Sequence, residues 1–171
     1  IALIHALEES VAPAHAAFQA HWPEVELFDV MDAGLAPDLA AAGAITPDIA
    51  RRIEGLAHQA LATADPAGTT AGILYTCSAF GPAIDAVKQR VPVPVLRPNE
   101  CAFEAALDHG GPIGLVVSFG PSAAALAAEL RDMAAARGQA VKVTTALATG
   151  AIEALKSGDG QRHDALVASA P

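Results

Sequence analysis

Short apolar, strand-like runs alternate with alanine-rich helical stretches along the whole chain. That alternation points to βα units stacked on a mainly parallel sheet. Residues 1–5 read as a first strand, 26–30 as a second, 72–76 as a third and 93–96 as a fourth, with Pro92 and Pro94 marking an edge or an end. Helices are expected over residues 13–21, 82–89 and 99–108, and residues 31–43 read as irregular because Gly34, Pro37 and Gly43 punctuate them. The strongest helix signal opens at Thr46-Pro47-Asp48, an N-cap, a first-turn proline and a first-turn acid. Ile49, Ile53, Leu56, Ala57 and Ala60 then recur at helical spacing.

Gly110-Gly111-Pro112 interrupts the pattern and is read as a lobe boundary, giving a first α/β lobe over residues 1–109 and a second over 110–171. Beyond it the pattern restarts: a strand at 113–117, a helix at 121–137, a strand at 141–145 and a short helix at 148–155. Two similar lobes are the expectation, each α/β with a mainly parallel sheet.

Composition removes several function classes. At 171 residues the chain can bury a sizeable core. Its mean hydropathy of +0.37 is high, but alanine supplies much of it and no run reaches the roughly 18 apolar residues of a membrane span. The opening Ile1-Ala2-Leu3-Ile4 lacks a basic flank and meets Glu8-Glu9 at once, so it reads as a strand rather than a signal peptide, and the missing initiator Met is taken as a trimmed terminus. A net charge of −9, with ten basic residues that form no stripe, argues against nucleic acid as a partner. Two cysteines form neither a disulfide framework nor a zinc site, so a reducing, cytoplasmic setting is expected, and the apolar content makes a homo-oligomer plausible. No phosphate-binding glycine loop is present, since Gly110-Gly111-Pro112 lacks the lysine.

Cys77 is the chemically informative residue. It follows the apolar run ending in Tyr75-Thr76 and precedes Ser78-Ala79-Phe80-Gly81-Pro82, where a helix is expected to start. A thiol at a strand's carboxyl end, facing a helix N-terminus, is expected to have its thiolate favoured by the helix dipole and free amides. The crevice beyond such strand ends is where open α/β sheets bind ligands. The bland alternative is a small buried hydrophobe.

Three segments, in order, resemble the aspartate/glutamate racemase superfamily, which includes hydantoin racemases, maleate isomerases and arylmalonate decarboxylases. They are Ile73-Leu74-Tyr75-Thr76-Cys77-Ser78-Ala79-Phe80-Gly81, Val93-Pro94-Val95-Leu96-Arg97-Pro98-Asn99-Glu100 and Ile113-Gly114-Leu115-Val116-Val117-Ser118-Phe119-Gly120-Pro121-Ser122. The resemblance implies two flavodoxin-like lobes with a cleft between them and a cofactor-independent racemase or isomerase acting beside the carboxylate of a small acid. It makes Cys77 the acid/base. Turn amides with Thr76, Ser78, Ser118 and Ser122 would hold the carboxylate, and no metal or cofactor is implied. Two departures stand out: Ser78-Ala79 replaces the family's frequent Asn-Thr, and only Cys101 accompanies Cys77 where racemases use a second cysteine near the carboxyl end. The chain also ends earlier than the family usually runs, so the second lobe is expected to be incomplete. One thiol suffices for an arylmalonate-type decarboxylase, and a non-catalytic small-molecule-binding domain of the same fold is the third reading.

Other candidates carry two readings each. His5 ends the first strand and would either touch substrate or sit satisfied in the core. Ser10 would line the same mouth or cap the next helix. Ser118 and Ser122 double as turn and cap residues, Cys101 reads as packing, and Glu100 as a possible orienting group. His15, His21, His58, His109 and His163 show no ligand spacing, and Asp29/Asp32 and Glu8/Glu9 read as solvated faces.

Overall fold

Four consecutive buried residues, Ala2–His5, form strand β1, and burial on both faces is what a central strand of a parallel sheet requires. β1 pairs in parallel with β2 (Phe28–Met31) on one side and β3 (Ile73–Tyr75) on the other, and β3 pairs in parallel with β4 (Val95–Leu96). The resulting order is β2-β1-β3-β4. The computed structural model describes residues 1–63 and 70–171, and these divide into two compact units, 1–98 and 99–171.

Alternation along β1 sends Ala2 and Ile4 to one face. There they join Val30, Ile73, Tyr75 and the apolar stripe of helix α3 (Pro47–Ala62) in the principal core. That stripe is Ile49, Ile53, Leu56, Ala57 and Ala60, all buried, as its spacing predicts. Thr46 caps α3 by accepting the Ile49 N–H at 3.2 Å. Tyr75 donates its hydroxyl to the Ile53 carbonyl at 2.8 Å, so the buried phenol is satisfied while tying β3 to α3. Helix α4 (Gly81–Lys88) adds Ala83, Ile84 and Val87 to the same core.

The first unit also holds α1 (Val11–His21) and α2 (Leu35–Ala42). α2 corrects the irregular reading of residues 31–43. Gly34 is its N-cap, Pro37 falls in the first turn where no intrahelical donor is needed, and Gly43 ends it with φ 69°. The three residues that looked like breaks are the helix's own boundary signals. Leu35, fully buried, anchors it.

In the second unit, β5 (Ile113–Val117) pairs in parallel with β6 (Val143–Leu147). β6 begins two residues later than expected, since Ile113 pairs with Val143 and its N–H reaches the Lys142 carbonyl. Helix α5 (Glu100–His109) packs Phe103 and Leu107 against Leu130 and Ala134 of α6 (Ala123–Ala136). That packing places α5 in the second unit, so the division falls between Pro98 and Asn99, ahead of the Gly110-Gly111 break. α7 (Ala151–Lys156) and α8 (Gly160–Ala168) complete the unit. α8 lies beyond the elements read from the pattern, and Asp159 opens it by accepting the Arg162 N–H. Among the described residues no helix is long and apolar enough to cross a membrane.

Candidate functional site

The carboxyl ends of β1, β2 and β3 carry a connected polar cluster under an otherwise apolar sheet. His5 is fully buried at the end of β1. Its Nδ1 lies 2.9 Å from both Ser10 Oγ and Thr76 Oγ1, and its Nε2 lies 3.0 Å from Asp29 Oδ1. The register explains the meeting: parallel pairing of Leu3 with Asp29 puts Asp29 on the face shared by Leu3 and His5, and Thr76 follows the Tyr75 that pairs with Ile4. Ser10 and Thr76 are themselves 2.9 Å apart. Ser10 also donates to the Leu7 carbonyl at 2.7 Å, across the 3-10 turn Glu8–Ser10 that precedes α1.

From α1, His15 Nε2 contacts both Asp29 oxygens at 2.9 Å. Burial on its own raises the Asp29 carboxyl, but the hydrogen bonds and charge of His15 and His5 outweigh it and hold Asp29 below the ordinary carboxylate value. Asp32, just beyond β2, is lowered chiefly by the Arg52 guanidinium, which binds it through two nitrogens at 2.7 and 2.8 Å.

Cys77 follows Thr76 in extended conformation (φ −116°, ψ 119°) and leads into a 3-10 turn, Ser78–Phe80, that runs on into α4. The thiol is half-buried against the principal core. Burial pushes its pKa up, and the Ala79 N–H, hydrogen-bonded to the sulfur, pulls the other way without prevailing. The expected lowering by a helix N-terminus is thereby corrected: desolvation penalises the thiolate more than one turn amide rewards it. Arg97, just past β4, leans over the start of α4 and pairs with Asp85 at 3.2 Å. A side chain at Gly81 would sit 3.0 Å from its guanidinium.

The first unit thus brings His5, Ser10 and Thr76 into one cluster, with Cys77 and Ser78 next along the chain. His5 has no exposed side-chain surface, and its ring nitrogens lie at hydrogen-bond distance from Ser10, Thr76 and Asp29. Ser10 makes no side-chain cap to α1 and is spent on the cluster. Ser118 and Ser122 belong to the second unit, after β5, where Ser122 donates to the Phe119 carbonyl at 2.7 Å and makes no side-chain cap to α6. Cys101 is exposed on α5.

Asp29, read from sequence as part of a solvated face, and His15, read as lacking ligand spacing, are instead bonded to each other, and Asp29 also to His5. Asp29 and His15 are fourteen residues apart, one on strand β2 and one on helix α1, and meet only where the helix packs beside the strand, so no local spacing announces them. The one available signal was an acid inside the strand Phe28-Asp29-Val30. Among the described residues no group of three His, Cys, Asp or Glu side chains is placed to hold a metal ion. No family model and no curated protein matches the chain.

Proposed function

We propose that the chain is a cofactor-independent racemase or isomerase that moves a proton at a carbon alpha to the carboxylate of a small acid, with Cys77 as the acid/base. One observation carries this reading. Cys77 follows β3 where β3 lies beside β1, and β1/β3 is the point at which the order β2-β1-β3-β4 reverses direction. Ligands of open α/β sheets bind outside the strand ends at that reversal. The order also supports a flavodoxin-like first lobe, and a second lobe of the same kind is proposed from the β5–α6–β6 unit.

The chemistry follows from the site. Removing an α-proton from a carboxylate builds a second negative charge, which fixed donors must meet. Turn amides after Cys77, with Ser78, are the proposed donors; the resemblance gives Thr76, Ser118 and Ser122 the same duty, although the Thr76 hydroxyl is engaged with His5 and the Ile4 carbonyl. With its pKa raised, Cys77 rests as the protonated thiol. In one direction a second base on the opposite face takes the α-proton while the Cys77 thiol delivers its own to the carbon; in the other Cys77, as thiolate steadied by the Ala79 N–H, takes the α-proton and the second acid/base returns one.

A resting thiol that donates a proton equally suits a single-cysteine decarboxylase, the second reading. One assay separates them. Incubated in deuterium oxide with a panel of small amino and aryl-substituted acids, a racemase or isomerase exchanges the α-hydrogen without releasing carbon dioxide. A decarboxylase releases it, and a binding domain does neither.

A further inference from the structure

His5, Asp29 and His15 form a continuous line of titratable groups from the sealed end of β1 to solvent. His5 has no exposed side-chain surface, Asp29 keeps 34% and His15 41%. Every link is at hydrogen-bond distance: 2.9 Å from the Ser10 and Thr76 hydroxyls to His5 Nδ1, 3.0 Å from His5 Nε2 to Asp29, and 2.9 Å from Asp29 to His15 Nε2. A buried histidine that served packing alone would need one partner per nitrogen. This one is instead wired through a shared carboxylate to a second, exposed imidazole.

The inner end tolerates two proton counts. With His5 neutral and Nε2–H donating to Asp29, Nδ1 accepts the Thr76 proton while Ser10 donates to the Leu7 carbonyl. With one proton more, Nδ1–H donates to Ser10 and Thr76 turns to the Ile4 carbonyl at 3.3 Å. Both arrangements leave no buried polar group of the cluster unpaired.

We propose that Ser10/Thr76–His5–Asp29–His15 is a proton relay that connects the strand-end crevice at β1/β3 to bulk water. Outward transfer balances atom by atom. A hydroxyl passes its proton to His5 Nδ1 and is refilled from the crevice. His5 Nε2–H moves to Asp29 Oδ1, and the carboxyl delivers that same proton from Oδ1 to His15 Nε2, 2.9 Å away, with His15 in its Nδ1–H form. His15 then releases its Nδ1 proton to water. One proton enters and one leaves, with no oxidant or co-reactant. The relay's use in turnover rests on the proton-transfer reading above, where it would exchange the proton of the second acid/base; His5 and His15 are relay and positioning residues and touch no substrate.

The test is made on the full chain without substrate. With 15N-histidine labelling, the His5 imidazole N–H held by Asp29 is followed by saturation transfer from water. In the wild type it exchanges through His15. His15→Asn keeps a polar partner for Asp29 but cannot carry a proton, and is expected to slow exchange at least about tenfold, with added imidazole restoring it in proportion to concentration. Asp29→Asn breaks the line one step further in, and imidazole should not restore exchange there. Unchanged exchange in His15→Asn, or a slowed rate indifferent to imidazole, overturns the relay. Because no substrate is present, that outcome leaves the role of Cys77 standing, and a lack of α-hydrogen exchange across the acid panel leaves the relay standing.

Discussion

The turn after β3 and the turn after β5 share a backbone and differ in chemistry. Each strand runs through an extended residue into a 3-10 turn and then a helix: Cys77 at φ −116°, ψ 119° before Ser78–Phe80 and α4, Phe119 at φ −116°, ψ 102° before Gly120–Ser122 and α6. In the first unit the extended position holds a half-buried thiol, and the neighbouring strand supplies His5 with its hydroxyls. In the second it holds a phenylalanine that is 50% exposed, and the neighbouring strand supplies Leu147, whose methyls lie 3.7 and 3.8 Å from where a side chain on Gly120 would start. The turn geometry is therefore a property of the βα connection. Reactivity comes from which side chain occupies the extended position and from what the adjacent strand end provides.

Burial at the two turns differs as well, and this gives the largest expected effect. Phe80 ends the first turn 1% exposed in the principal core. Phe80→Ala should cost about 3–5 kcal/mol in denaturant unfolding, whereas Phe119→Ala should stay within about 0.5 kcal/mol. Comparable losses at both would erase the distinction between a packed turn and an open one.

The next effect concerns acid. Asp29 and Asp32 both titrate below the ordinary carboxylate value near 3.8 in the folded chain. A carboxylate lowered by folding stabilises above its unfolded value and loses that contribution as pH falls through the lower, folded one. Stability should therefore drop below about pH 4, and Asp29→Asn should flatten that limb. At neutral pH the same variant should lose about 1–3 kcal/mol, because a hydrogen-bond acceptor for the buried His5 is weakened. An acid limb of unchanged steepness in Asp29→Asn would show that the His5–Asp29–His15 contacts contribute nothing to folding.

The smallest effect compares the two cysteines. Cys101 is exposed and Cys77 is half-buried with its pKa raised. Iodoacetamide at pH 8 should modify Cys101 first, and the Cys77 rate should go on climbing at higher pH than an ordinary thiol's. Faster labelling of Cys77 would mean that the turn amides outweigh desolvation.

The strands, the α3 stripe and the Cys77 turn were legible in sequence because each is written locally, in alternation, helical period or capping residues. Ile49 to Ala60 are buried at the positions their spacing names. What escaped was relational. α2 was obscured because Gly34, Pro37 and Gly43 act as boundary residues around a helix whose interior is only eight residues long. The tie between His5 and Asp29 exists only once β1 and β2 are in register, and that of His15 only once α1 lies beside β2; no periodicity encodes either. The Cys77 pKa failed for a similar reason: position at a helix start is visible in sequence, whereas the depth of burial that outweighs it is a tertiary quantity.

The central claim is that the Cys77 sulfur exchanges a proton with a carbon beside a carboxylate. The direct measurement is α-deuterium incorporation from deuterium oxide into small carboxylic acids, wild type against Cys77→Ala, with circular dichroism to verify the fold. The account predicts incorporation by the wild type and its loss, to the uncatalysed rate, in a folded Cys77→Ala protein. Incorporation that survives in that variant would contradict it.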